Sequence, residues 1–176
     1  MKKIFLLLSV LSISISSWSQ GPRRHEIKID ALGILVVPTL ELSYEYAMNI
    51  HSGVGVATSL RLDAPDDDYE AFTLAPYYRQ YFYDNQSYGN KGFFIEALLQ
   101  YSSGKDEKKV VDEERNIVDV ENYNDIGIGF GGGVKWITPN GFTVEAGAGV
   151  GRNFKLDPNS PDFFFRWGIN LGYRFF

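Results

Sequence analysis

The chain has 176 residues, no cysteine and a formal net charge of −5. This length fits one domain, the acidic balance argues against a nucleic-acid partner, and the lack of thiols excludes a disulfide framework or a thiolate metal site. Glycine, tyrosine and phenylalanine are crowded into segments that alternate in hydrophobicity, and the sequence shows no sustained helical pattern.

The first residues have the layout of a secretory signal peptide. A basic start, MKK, precedes the apolar run IFLLLSVLSISI, and the tripeptide SWS supplies the small residues expected before a cleavage site. The apolar run is too short to cross a bilayer as a helix. We therefore expect residues 1–19 to be a signal peptide and residues 20–176 to be the mature domain, whose net charge would be −7 without Lys2 and Lys3.

Eight segments of the mature domain alternate between apolar and polar residues, and turn-forming residues separate them. Successive side chains of a strand point to opposite faces, so each segment is predicted to be a β-strand with one apolar face. The predicted strands are residues 26–36, 39–48, 53–61, 70–83, 92–103, 126–138, 141–154 and 162–176.

The connections between the predicted strands are of two kinds. Those after strands two, four and six are the turns NIHS, DNQSYGNK and PN, whereas those after strands three, five and seven are longer and polar. Only the first connection on the long-loop side, at Val37-Pro38, is short. Short turns on one side and long loops on the other are typical of outer-membrane barrels. The pattern predicts an all-β fold, an eight-stranded antiparallel up-and-down transmembrane barrel in the cell outer membrane.

The inward faces of the strands are predicted to be small and charged. The faces opposite the apolar rows of strands six and seven are rich in glycine, which weakens a strand unless a narrow interior needs the space. Because eight strands leave an interior just wide enough for side chains to meet, we expect a ladder of paired ions to plug it, with a proton or ion path as the alternative. The predicted lumen ions are Lys28, Asp30, Glu41, Glu45, Arg61, Arg79, Glu96, Lys135, Glu145, Arg166 and Arg174.

Aromatic residues recur where the predicted strands reach the two membrane interfaces. The inner belt is the denser one, and the last strand ends within it and is expected to pair with strand one, leaving no free edge. The residues predicted for this belt and for a C-terminal assembly signal are Trp136, Phe142, Trp167, Tyr173, Phe175 and Phe176.

Several short motifs carry a family resemblance that covers essentially the whole mature chain. They are the ending GYRF, PYYRQYFY in strand four, SYEY in strand two and the FxVExGxGVGRN pattern of strand seven. With these, the sequence resembles small outer-membrane β-barrel proteins of unassigned function in Gram-negative bacteria and, more distantly, the OmpA/OmpX-type eight-stranded barrels. The resemblance implies that the barrel-assembly machinery reads the C-terminal aromatic. Phe175 fits that signal one residue early, and the extra Phe176 departs from it.

The outer loops are the strongest candidates for a functional surface. Residues 105–125 hold eight carboxylates and four basic residues, with apolar runs flanking DEER, so strands five and six are expected to project as a charged hairpin that could bind an extracellular protein. Near lipopolysaccharide, clustered carboxylates could share divalent cations, although no EF-hand spacing is present, and a solvated surface is the plainer interpretation. The acidic cluster comprises Asp66, Asp67, Asp68, Asp112, Glu113 and Glu114.

Other function classes find little support in the sequence. Residues 127–132 match G-x-G-x-x-G, but the strand continues where a nucleotide-binding helix would have to begin, and glycines that make room for large neighbours such as Arg166 explain the run better. The two histidines, His25 and His51, fall at the inner side, away from the rim where a lipid-modifying barrel would work. Pro76 interrupts strand four, so a bulge or an irregular ladder is expected there.

The sequence therefore predicts a non-enzymatic barrel with a plugged lumen and a structural or surface-interaction role, with no catalytic, cofactor or metal residues. A lipocalin-like small-molecule carrier is the first alternative, although the inward charges count against it. A lipid-modifying enzyme is the second, and a pore former would need more strands.

Overall fold

A computed structural model describes residues 23–63, 69–82, 89–112, 115–158 and 160–175. Its strands form one closed barrel in which each strand pairs with its neighbours in sequence and β1 pairs with β8, all antiparallel. The elements are β1 (His25–Asp30), α1 (Ala31–Val36), β2 (Thr39–Ala47), β3 (Ser52–Arg61), β4 (Tyr69–Tyr81), β5 (Gly92–Asp112), β6 (Arg115–Ile137), β7 (Phe142–Asn153) and β8 (Phe163–Phe175). The predicted eight-stranded fold is confirmed, whereas the predicted signal peptide lies outside the described residues.

The two faces of the barrel wall differ as the alternation predicts. Phe165 is 74% exposed and Trp167 54%, whereas Glu45 and Lys135 on inward positions are 1% exposed. The apolar rows therefore form the outer surface and the charged rows fill the interior, because successive side chains of each strand alternate between them. Within the described residues, no helix is long and apolar enough to cross a membrane.

The first strand is shorter than predicted. The predicted strand 26–36 was wrong beyond Asp30, because residues 31–36 form α1. The Asp30 carboxylate caps this helix by accepting from the backbone N–H groups of Leu32 and Gly33, each at 3.0 Å. Pro38 follows shortly after and disfavours further helix. The connection from β1 to β2 is therefore this helical turn at the outer end, meaning the barrel end that also carries the β5–β6 hairpin.

The β5–β6 hairpin rises beyond its neighbours. Its two strands pair continuously from Gly92 opposite Lys135 to Asp112 opposite Arg115. The last pair of β4 with β5 is at Lys105, and the last pair of β7 with β6 is at Gly127. The predicted projecting hairpin is confirmed for its backbone, since residues 106–112 and 115–126 continue past these points.

The ladder between β4 and β5 contains one register shift, between Glu70 and Phe72. At Pro76 the same register continues on both sides, with pairing to β5 interrupted at Ala75 and Pro76. The expected irregularity at Pro76 is thus a short gap in the ladder, because proline has no N–H to donate. The bulge lies instead at Ala71, near the outer end.

Candidate functional site

Glu45 lies at the centre of the charged residues that fill the inner half of the lumen. Its carboxylate accepts from the Lys28 and Lys135 ammonium groups at 2.9 Å, and from Arg79 Nη1 at 3.0 Å. The Tyr81 hydroxyl donates to Oε1 at 2.6 Å, and the Tyr77 hydroxyl donates to Oε2 at 3.4 Å. A carboxylate removed from water is stable only when charged and polar partners replace the solvent, and Glu45 has five of them.

Arg79 joins two further carboxylates to this centre. Its Nε lies 2.6 Å from Glu96 and its Nη1 lies 2.7 Å from Glu145. The guanidinium carbon lies 4.4 Å from the ring centroids of both Tyr77 and Phe94, so the two aromatic rings fix the plane of the cation.

Glu26 completes the network and was missed by the sequence prediction. Its carboxylate lies 2.8 Å from Arg174 Nη2 and 3.1 Å from Lys135 Nζ. Glu26 precedes Lys28 by two residues, so strand alternation alone places both on the inward face. The signal was present, but residue 26 was taken only as the first residue of the strand.

The ion cluster consists of equal numbers of opposite charges. Four carboxylates face four cations, and all of these side chains are buried except that of Glu96, which is partly buried. Equal charge in a closed interior avoids the cost of an unpaired buried ion. The members of the ion cluster are Glu26, Lys28, Glu45, Arg79, Glu96, Lys135, Glu145 and Arg174.

Lysine side chains of the ion cluster occupy the space between three carboxylates that together have the spacing of a metal site. Oxygens of Glu26, Glu45 and Glu145 lie within 4.8 Å of one another. The ammonium groups of Lys28 and Lys135 each lie within 4.0 Å of all three carboxylates, at 2.9 to 3.9 Å. A metal ion would have to displace or approach two positive charges, so the arrangement favours ion pairing over metal binding.

Gly89 and Asn90, just before β5, lie against the inner side of the ion cluster. Asn90 is fully buried and its side chain donates to the Ser52 carbonyl at 3.0 Å. Arg174 donates to the carbonyls of Gly89 at 3.0 Å and Asn90 at 3.4 Å. The described end of this turn is thus anchored to the ion cluster through Arg174.

Four of the eleven predicted lumen ions lie outside the ion cluster. Arg166 pairs with Glu41 at 3.0 Å, and Arg61 pairs with Asp63 near the outer end at 2.7 Å. Asp30 caps α1 and also accepts from Ile169 N, so it satisfies backbone groups instead of an ion. Arg166 and Glu41 therefore form a pair apart from the ion cluster, whereas Asp30 caps a helix because the chain turns at this residue.

A polar cavity of about 360 Å³ occupies the outer half of the lumen, above the ion cluster. Its floor includes Tyr77, Arg79 and Glu145, and one wall is a glycine-rich surface of β6, β7 and β8. Its other polar lining residues are Asp30, Thr39, Glu41, Ser43, Ser59, Arg61, Glu70, Thr73, Glu96, Gln100, Arg166 and Asn170. Gln100 was not singled out from the sequence, and Glu70 was predicted only as part of the acidic second outer loop.

The glycines of β6 accommodate aromatic rings rather than Arg166. A methyl group added at Gly127 would lie 2.7 Å from Phe164 Cε1, and one at Gly129 would lie 2.9 Å from its Cζ. At Gly133 the added carbon would lie 2.7 Å from Phe94 Cζ. The expectation of a large inward neighbour holds, but the named neighbour was wrong, since the buried rings of Phe94 and Phe164 take the space.

The remaining predicted residues lie on the outer surface or outside the described part of the chain. Trp136, Phe142, Trp167 and Tyr173 are exposed on the barrel exterior. The Phe175 ring stacks on His25 at 6.2 Å, where β1 meets β8. Asp112 is the last residue of β5, whereas the residues outside the described ranges are Asp66, Asp67, Asp68, Glu113, Glu114 and Phe176.

The arrangement matches solved structures of bacterial outer-membrane barrels. The N-terminal β-barrel domain of Pseudomonas aeruginosa OprF has a TM-score of 0.56 and 11% sequence identity, over 89% of this chain and 100% of that one. Neisserial surface protein A (NspA) has a TM-score of 0.46 and 13% identity, over 86% of this chain and 95% of that one. No protein-family model matches this chain, and a comparison with curated proteins finds no similar sequence.

At 11% identity, the likeness to the OprF domain concerns the fold. The closed eight-stranded barrel, its apolar exterior and its charged interior define the fold class: a small β-barrel with the fold of the OmpA/OmpX-type outer-membrane barrels. The resemblance read from the sequence is confirmed at this level.

Proposed function

We propose that this protein is a non-enzymatic barrel of the outer membrane, closed to passage by the ion cluster, that binds a partner at the cell surface through the β5–β6 hairpin. Export by the N-terminal signal peptide and insertion by the barrel-assembly machinery belong to the same proposal. The observation that carries it is the length of the hairpin, which exceeds what barrel closure requires.

The exterior of the barrel supports a lipid environment. A water-soluble protein rarely exposes a continuous apolar surface. Here all eight strands contribute large apolar side chains to the exposed outer face. Of the tryptophans of the chain, Trp136 and Trp167 are both on this face, and the third, Trp18, lies in the proposed signal peptide. Brominated lipids in vesicles should therefore quench most of the fluorescence of the mature protein, and fluorescence that resists quenching would contradict the membrane assignment.

The ion cluster supports a closed lumen. Seven of its eight side chains are buried and the eighth, Glu96, is partly buried, while Asn90 is fully buried at the inner side of the ion cluster. An ion that crossed the barrel would have to break several contacts shorter than 3.1 Å. Planar-bilayer recordings of the refolded protein should show no steady conductance, and a large constant current would refute the closed lumen.

The hairpin supports a binding role because its backbone has open edges among the described residues. Residues 115–124 of β6 have no strand on the β7 side, and residues 106–112 of β5 have none on the β4 side. Open edges carry unpaired N–H and C=O groups that can pair with another extended chain. The two strands of the hairpin pair with each other without a break up to Asp112 and Arg115. This ladder supports the backbone of the hairpin where it stands clear of the barrel.

A shortened hairpin tests the surface role. We expect a variant in which a two-residue turn replaces residues 106–121 to fold and to keep its heat-modifiable gel mobility, because every ion-cluster contact remains. Cells that display it should adhere to protein-coated surfaces less than cells with the full chain. A matched control shortens residues 155–161, the loop between β7 and β8. Equal adhesion by all three forms would contradict the proposal.

A further inference from the structure

The polar cavity of the outer lumen has features that the closed-lumen role does not explain. At about 360 Å³ it lies within the lower range of small-molecule sites. Its lining residues reach from Thr39 and Arg61 at the outer end down to Arg79. Because the ion cluster closes the inner side, a ligand would enter and leave from the outside only.

Glu70 differs from the other carboxylates of the cavity. Glu41, Glu96 and Glu145 each pair with an arginine, and Asp30 accepts from backbone N–H groups. The only hydrogen bond of the Glu70 carboxylate within the described residues is to the Gln100 side chain, whose Nε2 donates to Oε1 at 3.3 Å. Arg166 also acts on Glu70 electrostatically, but it forms its ion pair with Glu41. A partly buried carboxylate with no ion pair of its own among these residues favours binding of a positively charged group.

The bulge in β4 directs Glu70 into the cavity. Below it, the odd-numbered residues Thr73, Tyr77 and Arg79 face inward. Unbroken alternation would turn residue 70 outward, toward the apolar surface. The register shift between Glu70 and Phe72 changes that parity, and Glu70 lines the cavity. Bulges commonly reorient a side chain next to a functional site.

Three polar atoms of the residues that line the cavity lack a hydrogen-bond partner among the described residues, and Asn170 Oδ1 is the first of them. The two others belong to side chains that contact a glutamate. One is Oε1 of Gln100, a side chain that is 1% exposed, and the other is Nη1 of Arg166, whose Nη2 already pairs with Glu41. The Gln100 atom accepts and the Arg166 atom donates. A buried polar atom without a partner costs free energy, so each is a position at which a ligand group of the matching type would be stabilised.

The geometry points to a binding site for a small zwitterion that carries an ammonium group and a carboxylate, as a free amino acid does. The ammonium group would bind between Glu70 and the Gln100 carbonyl oxygen, and the carboxylate would accept from Arg166. Hydroxyl groups of Ser59 and Thr73 on the same wall supply further polar contacts. This site does not involve the β5–β6 hairpin, so the test of the site and the test of the surface role give independent results.

Ligand titrations followed by NMR of the refolded full chain in micelles test the site. The probes are L-alanine and L-glutamine, together with ethylamine and propionate, which carry only one of the two charged groups. We expect saturable shifts with at least one amino acid and binding at least about tenfold weaker for either single-charge probe. No saturable shift with either amino acid, or equal binding by ethylamine, would overturn the proposal.

Two variants locate the site. Glu70→Gln keeps the shape of the side chain and removes its charge, and Arg166→Lys keeps the charge but removes the Nη1 donor. Each should weaken amino-acid binding by about tenfold, whereas Asp162→Asn, which does not line the cavity, should leave it unchanged. Gel mobility verifies that each variant is folded, and if one fails to fold, the other decides. Unchanged binding by a folded Glu70→Gln or Arg166→Lys protein would refute this placement of the ligand.

Discussion

Replacing Glu45 by glutamine should destabilise the barrel strongly, because the substitution leaves a buried cation without its counterion. The wild-type ion cluster holds four positive and four negative side chains, and the variant would hold four and three. Glu45 touches three of the four cations at 2.9 to 3.0 Å. Removing one partner of a buried ion pair costs roughly 3–5 kcal/mol, a large part of the 5–15 kcal/mol stability typical of a domain.

Glu41→Gln is the matched control for this substitution. Glu41 lies in the same lumen and also pairs with an arginine, but it has one cationic partner, Arg166, and the pair is about one-fifth exposed. Partly exposed pairs contribute about 1 kcal/mol or less. The unfolding free energy in lipid vesicles should therefore fall much more for Glu45→Gln than for Glu41→Gln.

Urea unfolding in vesicles measures both variants, with the fluorescence of Trp136 and Trp167 as the signal. The midpoint should fall while the slope stays constant, since the surface exposed on unfolding is unchanged. Adding Lys135→Met to Glu45→Gln restores charge balance at three against three and should recover part of the loss. Two results would contradict this explanation. One is a loss of unfolding free energy for Glu45→Gln no larger than that for Glu41→Gln. The other is a further loss when Lys135→Met is added to Glu45→Gln.

Three further substitutions test the packing, the exterior and the helix cap. Gly55→Ala should lose about 1–3 kcal/mol in the same urea assay because its methyl group would lie 2.5 Å from Tyr77 Oη, whereas Gly147→Ala, with its nearest heavy atom at 3.3 Å, should lose less. Phe130→Arg should cost about 2–4 kcal/mol in vesicles and less in detergent, and equal losses would argue against contact with lipid. Asp30→Ala should cost about 0.5–2 kcal/mol through loss of the cap, and an unchanged midpoint would contradict that role.

Alternation alone predicted the barrel and most of the ion cluster. Side chains of a strand alternate between its two faces. Once the apolar face of each segment was known, the other face had to be inward, and it carries Lys28, Glu45 and Lys135. The sequence also predicted that these side chains contact one another, because the interior of an eight-stranded barrel is narrow enough for side chains from opposite walls to touch. The pairing partners were not predictable, since the register of each strand decides which residues share a level.

Local backbone features explain what the alternation did not show. The side chain of Asp30 offers the backbone an alternative to the strand, and the helix it caps has no long periodic signal. The bulge before Phe72 reverses the phase of β4, so Glu70 was grouped with the acidic loop although it faces the lumen. A single inserted residue leaves almost no trace in a hydrophobicity pattern.

The ion cluster also constrains the order in which the barrel forms. Lys28 and Glu145 are 117 residues apart in the chain, and the eight members come from β1, β2, β4, β5, β6, β7 and β8. A partial sheet can pair neighbours such as Arg79 and Glu96, which lie opposite each other on β4 and β5, but it cannot assemble all eight charges. The complete ion cluster forms only when the first and last strands meet. Water has to leave the interior at that late step, which should make closure slow and cooperative, with no stable half-built cylinder.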